Sequence, residues 1–351
     1  MKVERLRVGS PIPETFAGAV LARDLRVGGD RWAKGRRLSA ADLVALGAAA
    51  PAEVGVAEVP VVLIEAGDLH EDEAALRLAR AVAGPGLELR GPSESRVDLR
   101  ALEAGVLHVR ARELELLDRI DPLEVFTALD GSIVVAGTLV GSVKVAPHVV
   151  PERVVQAGEA ITGGGRRPLV WVAPFRPMRV GVVVKESLRP ADRERFERSV
   201  RAKVESLGST VAALRYVADE EPPVEVALAG LARGPEAVDI ILTAGGRSTD
   251  PSDPFFVGLE RLGGRIVRHG VPAHPGSMLW LARLGRVAVL GLPTCGAYSK
   301  ATAADLLLPR LLTGEPPTLR TVSRLGHGGI LTRDMRFRFP PYARELDAPE
   351  G

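Results

Sequence analysis

From residue 178 onward the apolar positions switch repeatedly between two periods. Residues 178–184, 210–217 and 238–242 are continuous runs of branched or apolar side chains, the length and character of parallel strands buried on both faces. Between the first two, Pro190 opens a stretch in which Phe196, Val200, Val204 and Leu207 share one helical face before Gly208. Val224, Leu228 and Leu231 repeat that spacing after the second run. Asp253 followed by Pro254 reads as an N-cap and first helical residue, and the helix stops at Gly263 and Gly264. Short strands are expected at 265–268 and 286–290, then a helix over 299–312 with a candidate kink at Pro309. This alternation predicts an α/β fold, a mostly parallel, doubly wound sheet with helices on both faces. Ligands in such a sheet lie beyond the carboxyl ends of its strands.

Upstream the pattern is of another kind. Ser39 caps an expected amphipathic helix carrying Leu43, Val44 and Leu46. EVGVAEVPVVLIE is strand-like, and LHEDEAALRLARAVAG predicts a helix with Leu76, Leu78 and Ala79 on or near one face. From about 105 to 156, VLHVRA, SIVVAGTLVGSVKVAP and ERVVQAG are short apolar runs separated by glycine and proline, which predicts a β-rich region. The triple glycine of ITGGGRRP reads as a linker. The expected division is an N-terminal α+β segment (1–59), a smaller β-rich domain (60–173), the α/β domain (174–315) and a basic tail (316–351). The tail, RTVSRLGHGGILTRDMRFRFPPYAR, reads as a solvated, partly disordered end; the alternatives are arginines gripping a phosphate or pyrophosphate and, ranked below that, a nucleic-acid arm.

Composition narrows the classes. The 351 residues are 46% hydrophobic and 26% charged, as in a globular protein, and a formal charge of +2 gives no general drive toward nucleic acid. With one cysteine, Cys295, the chain forms no internal disulfide. The start lacks a signal-peptide core and no stretch approaches the roughly 20 apolar residues of a membrane span, so a cytoplasmic location is expected.

The candidate chemistry lies in two glycine loops that follow strands, TAGGRSTDPSD and GLPTCGAYS, with VPAHPGSML between them. Gly245 and Gly246 let the main chain approach a bulky anion and donate N–H groups, and Ser248 adds a hydroxyl. Asp253 is either a functional carboxylate or a plain helix cap. Asp250 reads mainly as a turn residue before Pro251. His269 and His274 complete no known metal spacing.

Thr243, Gly245, Gly246, Ser248 and Asp253, then His269-Gly270-Val271, then Pro275-Gly276, then Gly291-Leu292-Pro293 follow one another in an order that resembles a known family. It is the molybdopterin-binding domain of molybdenum-cofactor biosynthesis proteins, above all the MoeA type. The resemblance covers about 135 residues, and the motifs are specific only as a series. It departs from the family pattern where His274 and Ser277 replace two lysines, where Asp250 replaces a glycine, and where Thr294, Cys295 and Gly296 replace G-N-P. KESL leaves only Glu186 of an acidic motif, and an upstream aspartate-bearing segment is missing. The resemblance implies a pterin site built from Thr243, Gly245, Gly246, Arg247, Ser248, His274, Pro275, Gly276, Gly291, Pro293, Thr294 and Gly296. It implies Asp253 and Asp250 as catalytic carboxylates, with Asp253 near the metal. The implied ligands are molybdopterin, plain, adenylated or as a dinucleotide, together with molybdate and Mg²⁺. A molybdoenzyme partner and a homo-oligomer are further implications. Three functions stay open: molybdate insertion, cofactor carriage without chemistry, and nucleotide pyrophosphate hydrolysis of the competence-damage type.

Overall fold

The computed structural model describes residues 2–185, 188–245, 250–292 and 301–345. The chain forms two compact units. The first comprises Met1–Glu103, Leu107–Asp130 and Val135–Val172, and the second Ala104–Val106, Gly131–Val134 and Ala173–Gly351.

In the first unit the helix Ala40–Ala48 opens with a reciprocal cap. Ser39 Oγ accepts from the Asp42 N–H at 3.1 Å, and Asp42 accepts from the Ser39 N–H at 2.9 Å. The helix buries Leu43 and Leu46 against Leu6, Trp32, Val59 and Val61, whereas Val44 faces solvent. The helix Glu71–Val82 is capped by His70, whose Nδ1 accepts from the Asp72 N–H at 3.2 Å, and it buries Leu78 and Ala79. Strands Leu123–Thr127, Leu139–Val145, Arg96–Ala101 and Leu87–Ser93 lie side by side in that order as an antiparallel sheet.

One expected strand is a helix. ERVVQAG lies within Glu152–Ile161, which turns Val155 and Gly158 inward, a spacing of three rather than two. A Cβ on Gly158 would sit 2.8 Å from Leu123 Cδ1, so glycine is what lets the helix approach the sheet. Arg77 fixes the helix from across, with ion pairs of 2.7 Å to Glu152 and 2.9 Å to Glu159. The triple glycine ends this helix instead of linking the units. Gly163 to Gly165 have φ of 60°, 67° and 86°, and the N–H groups of Gly163 and Gly164 donate to the Ala160 and Glu159 carbonyls.

The second unit holds the expected α/β fold. Its elements are β1 (Arg179–Val184), α1 (Pro190–Glu205), β2 (Thr210–Tyr216), α2 (Glu221–Arg233), β3 (Ile240–Ala244) and α3 (Pro254–Arg261). These are followed by β4 (Arg265–His269), β5 (Trp280–Leu284), β6 (Val287–Leu292) and α4 (Ala304–Leu311). The six strands lie in the order β2-β1-β3-β6-β5-β4, with the first four parallel. Strand β5 was not expected and runs antiparallel to both neighbours.

Alternate residues of each central strand feed two cores. Val180, Val182, Val184, Ile240 and Leu242 pack with Phe196, Val200 and Val204 of α1 and the leucines of α4. Val183, Ile241 and Val289 face Val224, Leu228 and Leu231 of α2 and Phe255 and Leu259 of α3. The tail joins the first of these cores: Val322, Leu325, Leu331, Phe339, Tyr342 and Ala343 are buried in it, so among the described residues, up to 345, the tail is packed and is not the solvated end read from its arginines. Apolar residues recur between the arginines at a spacing that lets the cations stay outside. Over the same face, Lys203 of α1 and Asp305 of α4 form a buried pair at 2.5 Å, with the Lys203 ammonium 5.4 Å above the Tyr342 ring. Burial, reinforced by the adjacent Asp305 carboxylate, holds the Tyr342 hydroxyl well above the usual tyrosine range. Among the described residues, no helix is long and apolar enough to cross a membrane.

Candidate functional site

Strand order decides where the site lies. β1 passes to β2 on one side and, through β2, to β3 on the other, so the chain's direction of winding reverses between β1 and β3. A crevice beyond the carboxyl ends of the strands opens at such a reversal. Three strand exits lie together there: the Val217 N–H donates to the Val184 carbonyl at 2.9 Å, and the Lys185 N–H donates to the Ala244 carbonyl at 3.1 Å.

Each exit contributes a charged side chain to one cluster. Lys185, the residue after β1, is buried, and its Nζ lies 3.1 Å from Asp253 Oδ2 and 2.5 Å from Asp219 Oδ1. Asp253 is equally buried and caps α3, its Oδ1 accepting from the Phe255 N–H at 2.9 Å. The ammonium also lies 5.5 Å over the Phe255 ring, whose negative face favours a cation. Asp219 differs, with 61% of its side chain exposed. The cluster is therefore a cation held by one fixed carboxylate and one that faces solvent.

Thr243 and Gly245 complete the exit of β3. Thr243 is 1% exposed, and its Oγ1 has no hydrogen-bond partner among the described residues. A buried hydroxyl left without a partner costs about 1–3 kcal/mol, so its place at a strand end points to a ligand or a water there. Gly245 has φ of 89°, which a side chain would strain. Asp250 is where a turn residue would be, its Oδ1 accepting from the Ser252 N–H at 2.9 Å.

The other expected site residues are placed as follows. Gly291 is the register partner of both Thr243 and Trp280, and the indole of Trp280 lies across it. His274, Pro275 and Gly276 belong to the connection from β4 to β5, at the same end of the sheet. His274 is exposed, and its N–H donates to the Gly329 carbonyl at 2.7 Å. The Pro275 carbonyl accepts from the Ala303 N–H at 3.0 Å, and a Cβ on Gly276 (φ 108°) would lie 2.8 Å from the Ala303 nitrogen. Gly246, Arg247, Ser248, Pro293, Thr294 and Gly296, with Glu186 and Cys295, lie outside the described residues. Lys185 and Asp219 were missed from the sequence. The available signal was position alone, each being a polar residue just past an apolar run.

Tyr216, the last residue of β2, sits beside this edge. Its hydroxyl donates to Glu197 Oε1 at 3.1 Å, and Arg193 stacks 3.7 Å over its ring. Burial, aided by the Glu197 carboxylate, pushes its pKa up to about 12. Among the described residues no three His, Cys, Asp or Glu side chains are grouped to hold a metal ion.

The observed groups suit an anionic ligand with polar edges: an ammonium with an exchangeable partner, a hydroxyl without one, and a glycine turn. Residues 182–313 match a family model described as a probable molybdopterin binding domain. Among solved structures, the molybdopterin biosynthesis enzyme MoaB of Thermus thermophilus is 22% identical, with 40% of this chain and 98% of that one covered and a TM-score of 0.29. The molybdopterin biosynthesis MoeA protein of Pyrococcus horikoshii is 14% identical over 74% of this chain and 81% of that one, with a TM-score of 0.30. A molybdenum cofactor biosynthesis protein B is 18% identical over 40% and 95%, with a TM-score of 0.29. No curated protein matches the chain. The match to the probable molybdopterin binding domain family therefore spans the second unit from within β1 to just past α4.

Proposed function

We propose that this protein binds molybdopterin in the crevice between β1 and β3 and acts in molybdenum-cofactor biosynthesis. The observation that carries the reading is the convergence of Lys185, Thr243 and Gly245 at the reversal point of a domain whose family is described as molybdopterin binding. The anionic tail of the pterin sits against Lys185 in place of the Asp219 carboxylate, the Thr243 hydroxyl gains a partner, and the turn at Gly245 leaves room for close approach. Lys185 thus supplies a fixed positive charge in a loop series that has lost two family lysines.

Asp253 favours holding over metal chemistry in this reading. One of its oxygens caps α3 and the other faces Lys185, so a metal would have to displace the ammonium. The protein then carries the cofactor, plain or as a nucleotide form, to a molybdoenzyme in the cytoplasm, as a homo-oligomer. Molybdate insertion, with Asp253 at the metal and Mg²⁺ assisting, is the competing assignment. Molybdate-dependent activation of an apo-molybdoenzyme separates them, because a carrier delivers loaded cofactor and does not load it. Turnover of ADP-ribose would instead favour the pyrophosphatase assignment.

The direct test is anaerobic titration of the pure protein with molybdopterin. A charge-assisted hydrogen bond contributes about 1.5–3 kcal/mol, so Lys185→Met should weaken binding by about tenfold or more. Because that change strands Asp253, the double variant Lys185→Met/Asp253→Asn, which removes both charges, is compared at equal folded fraction. Wild-type protein that binds no pterin, or a double variant that binds as tightly as wild type, defeats the proposal.

A further inference from the structure

At the opposite end of the same sheet the second unit has a groove of about 630 Å³ that carries three arginines and no carboxylate in its lining. Arg265 opens β4 and Arg283 lies near the end of β5; they are direct register partners across the antiparallel pair. Cross-strand partners point to one face with Cβ atoms about 4.5–5.5 Å apart, and like charges in that relation are destabilising. Arg320 reaches the groove from the helix Leu319–Ser323, beside the Thr318 hydroxyl. The three guanidiniums make no ion pair or hydrogen bond among the described residues. The neighbouring Arg261 shows the usual alternative, with Glu221 at 2.5 Å.

Two facing arginines without an acid go against local stability, and departures from local rules concentrate where a ligand compensates for them. We propose that this groove is a second anion site, one that takes an oligophosphate such as the triphosphate chain of a nucleotide. Guanidinium forks match phosphate oxygens two at a time, and paired forks on adjacent strands can span linked phosphates better than a single one. The exposed Leu319 side chain at the groove offers an apolar surface for the nucleoside end. The site is distinct from the crevice, since β6 runs parallel to β3 and the β5–β6 turn at Gly285 lies at the amino ends of these strands.

The test is calorimetric titration of the full chain with inorganic triphosphate at physiological salt, and in parallel with ATP. Saturable one-to-one binding is expected, with orthophosphate at least tenfold weaker. Arg283→Gln and Arg265→Gln should each weaken triphosphate by about tenfold, and the pair together should abolish it. Arg283→Gln should also leave Tm unchanged or raised, because a repulsive contact is removed; a merely structural arginine would lower it. Leu319→Ala should weaken ATP but not triphosphate, which separates nucleotide from inorganic chain. Lys185→Met should leave triphosphate binding as it was, so failure here and failure of the pterin reading are told apart. Affinity unchanged in Arg265→Gln/Arg283→Gln would overturn the proposal. So would a single-stranded oligonucleotide that binds more tightly than triphosphate and is lost in that variant, since it would assign the groove to nucleic acid.

Discussion

Gly291 carries two incompatible assignments, a ligand cradle read from its motif and a packing position read from its neighbour, and one substitution separates them. A Cβ built on Gly291 would lie 2.0 Å from both Cε2 and Nε1 of Trp280, or 1.4 Å short of the 3.4 Å at which ordinary contact begins. The indole has no room to retreat. It is 2% exposed, packs edge-on to Phe256 at 5.1 Å and tilts against Phe255 at 6.2 Å. Overpacking of a fixed core costs about 1–3 kcal/mol, and expulsion of the ring sets the ceiling near the 3–5 kcal/mol of a Trp→Ala truncation. Gly291→Ala should therefore destabilise by about 3 kcal/mol. Trp280→Ala alone leaves a cavity and costs about 3–5 kcal/mol, yet in that background the added methyl meets no ring. The double-mutant cycle should show a coupling of about 2–3 kcal/mol. Urea unfolding of the full chain followed by far-UV circular dichroism measures it without depending on the altered tryptophan. A cost below about 1 kcal/mol for Gly291→Ala, or additivity of the two changes to within about 0.5 kcal/mol, refutes the packing role of Gly291.

Asp305→Ala strands the buried Lys203 ammonium and should cost about 3–5 kcal/mol in the same assay, while Lys203→Met/Asp305→Leu recovers most of the loss; no recovery would contradict the pairing. Tyr342 and Tyr216 both have folded-state pKa values above their unfolded ones. Their stabilising contribution is full below about pH 10 and is lost as pH rises from there through the folded values, so Tyr342→Phe should flatten the alkaline fall in urea midpoint relative to wild type. Asp219→Asn removes the exposed competitor for Lys185 and should tighten pterin binding several-fold while changing stability by no more than about 1 kcal/mol; weaker binding would show Asp219 to be a ligand contact instead. Ser39→Ala should lower stability by about 1 kcal/mol through loss of the cap, read by thermal unfolding.

The doubly wound sheet was legible because each central strand is buried on both faces and so is written as an uninterrupted apolar run, with proline and glycine marking the helix ends. Strand β5 escaped for a local reason. LWLARLGRVAVL turns at Gly285 without a long polar loop, and only one of the two flanking runs was read as a strand. The helix Glu152–Ile161 was lost because Val154 and Val155 look like a strand fragment when the inward spacing of Val155 and Gly158 is ignored. In the tail, charge hid the apolar set. Phe339, Tyr342 and Ala343 reach the core from between arginines, and nothing local says which partner they have. The glycines of the crevice were visible as a motif, but Lys185 and Asp219 were not. Their meeting depends on strand order, which places residues 34 positions apart within one ion-pair distance.

The burial of Phe339, Tyr342 and Ala343 against α1 and α4 also has a consequence for synthesis in the cell. A nascent chain can form β1 to β3 early, but the apolar face that these late residues cover stays open until position 343 has left the ribosome. At about 5–20 residues per second, the interval between emergence of α1 and closure over it lasts many seconds, time in which chaperones or a neighbouring copy can occupy the gap.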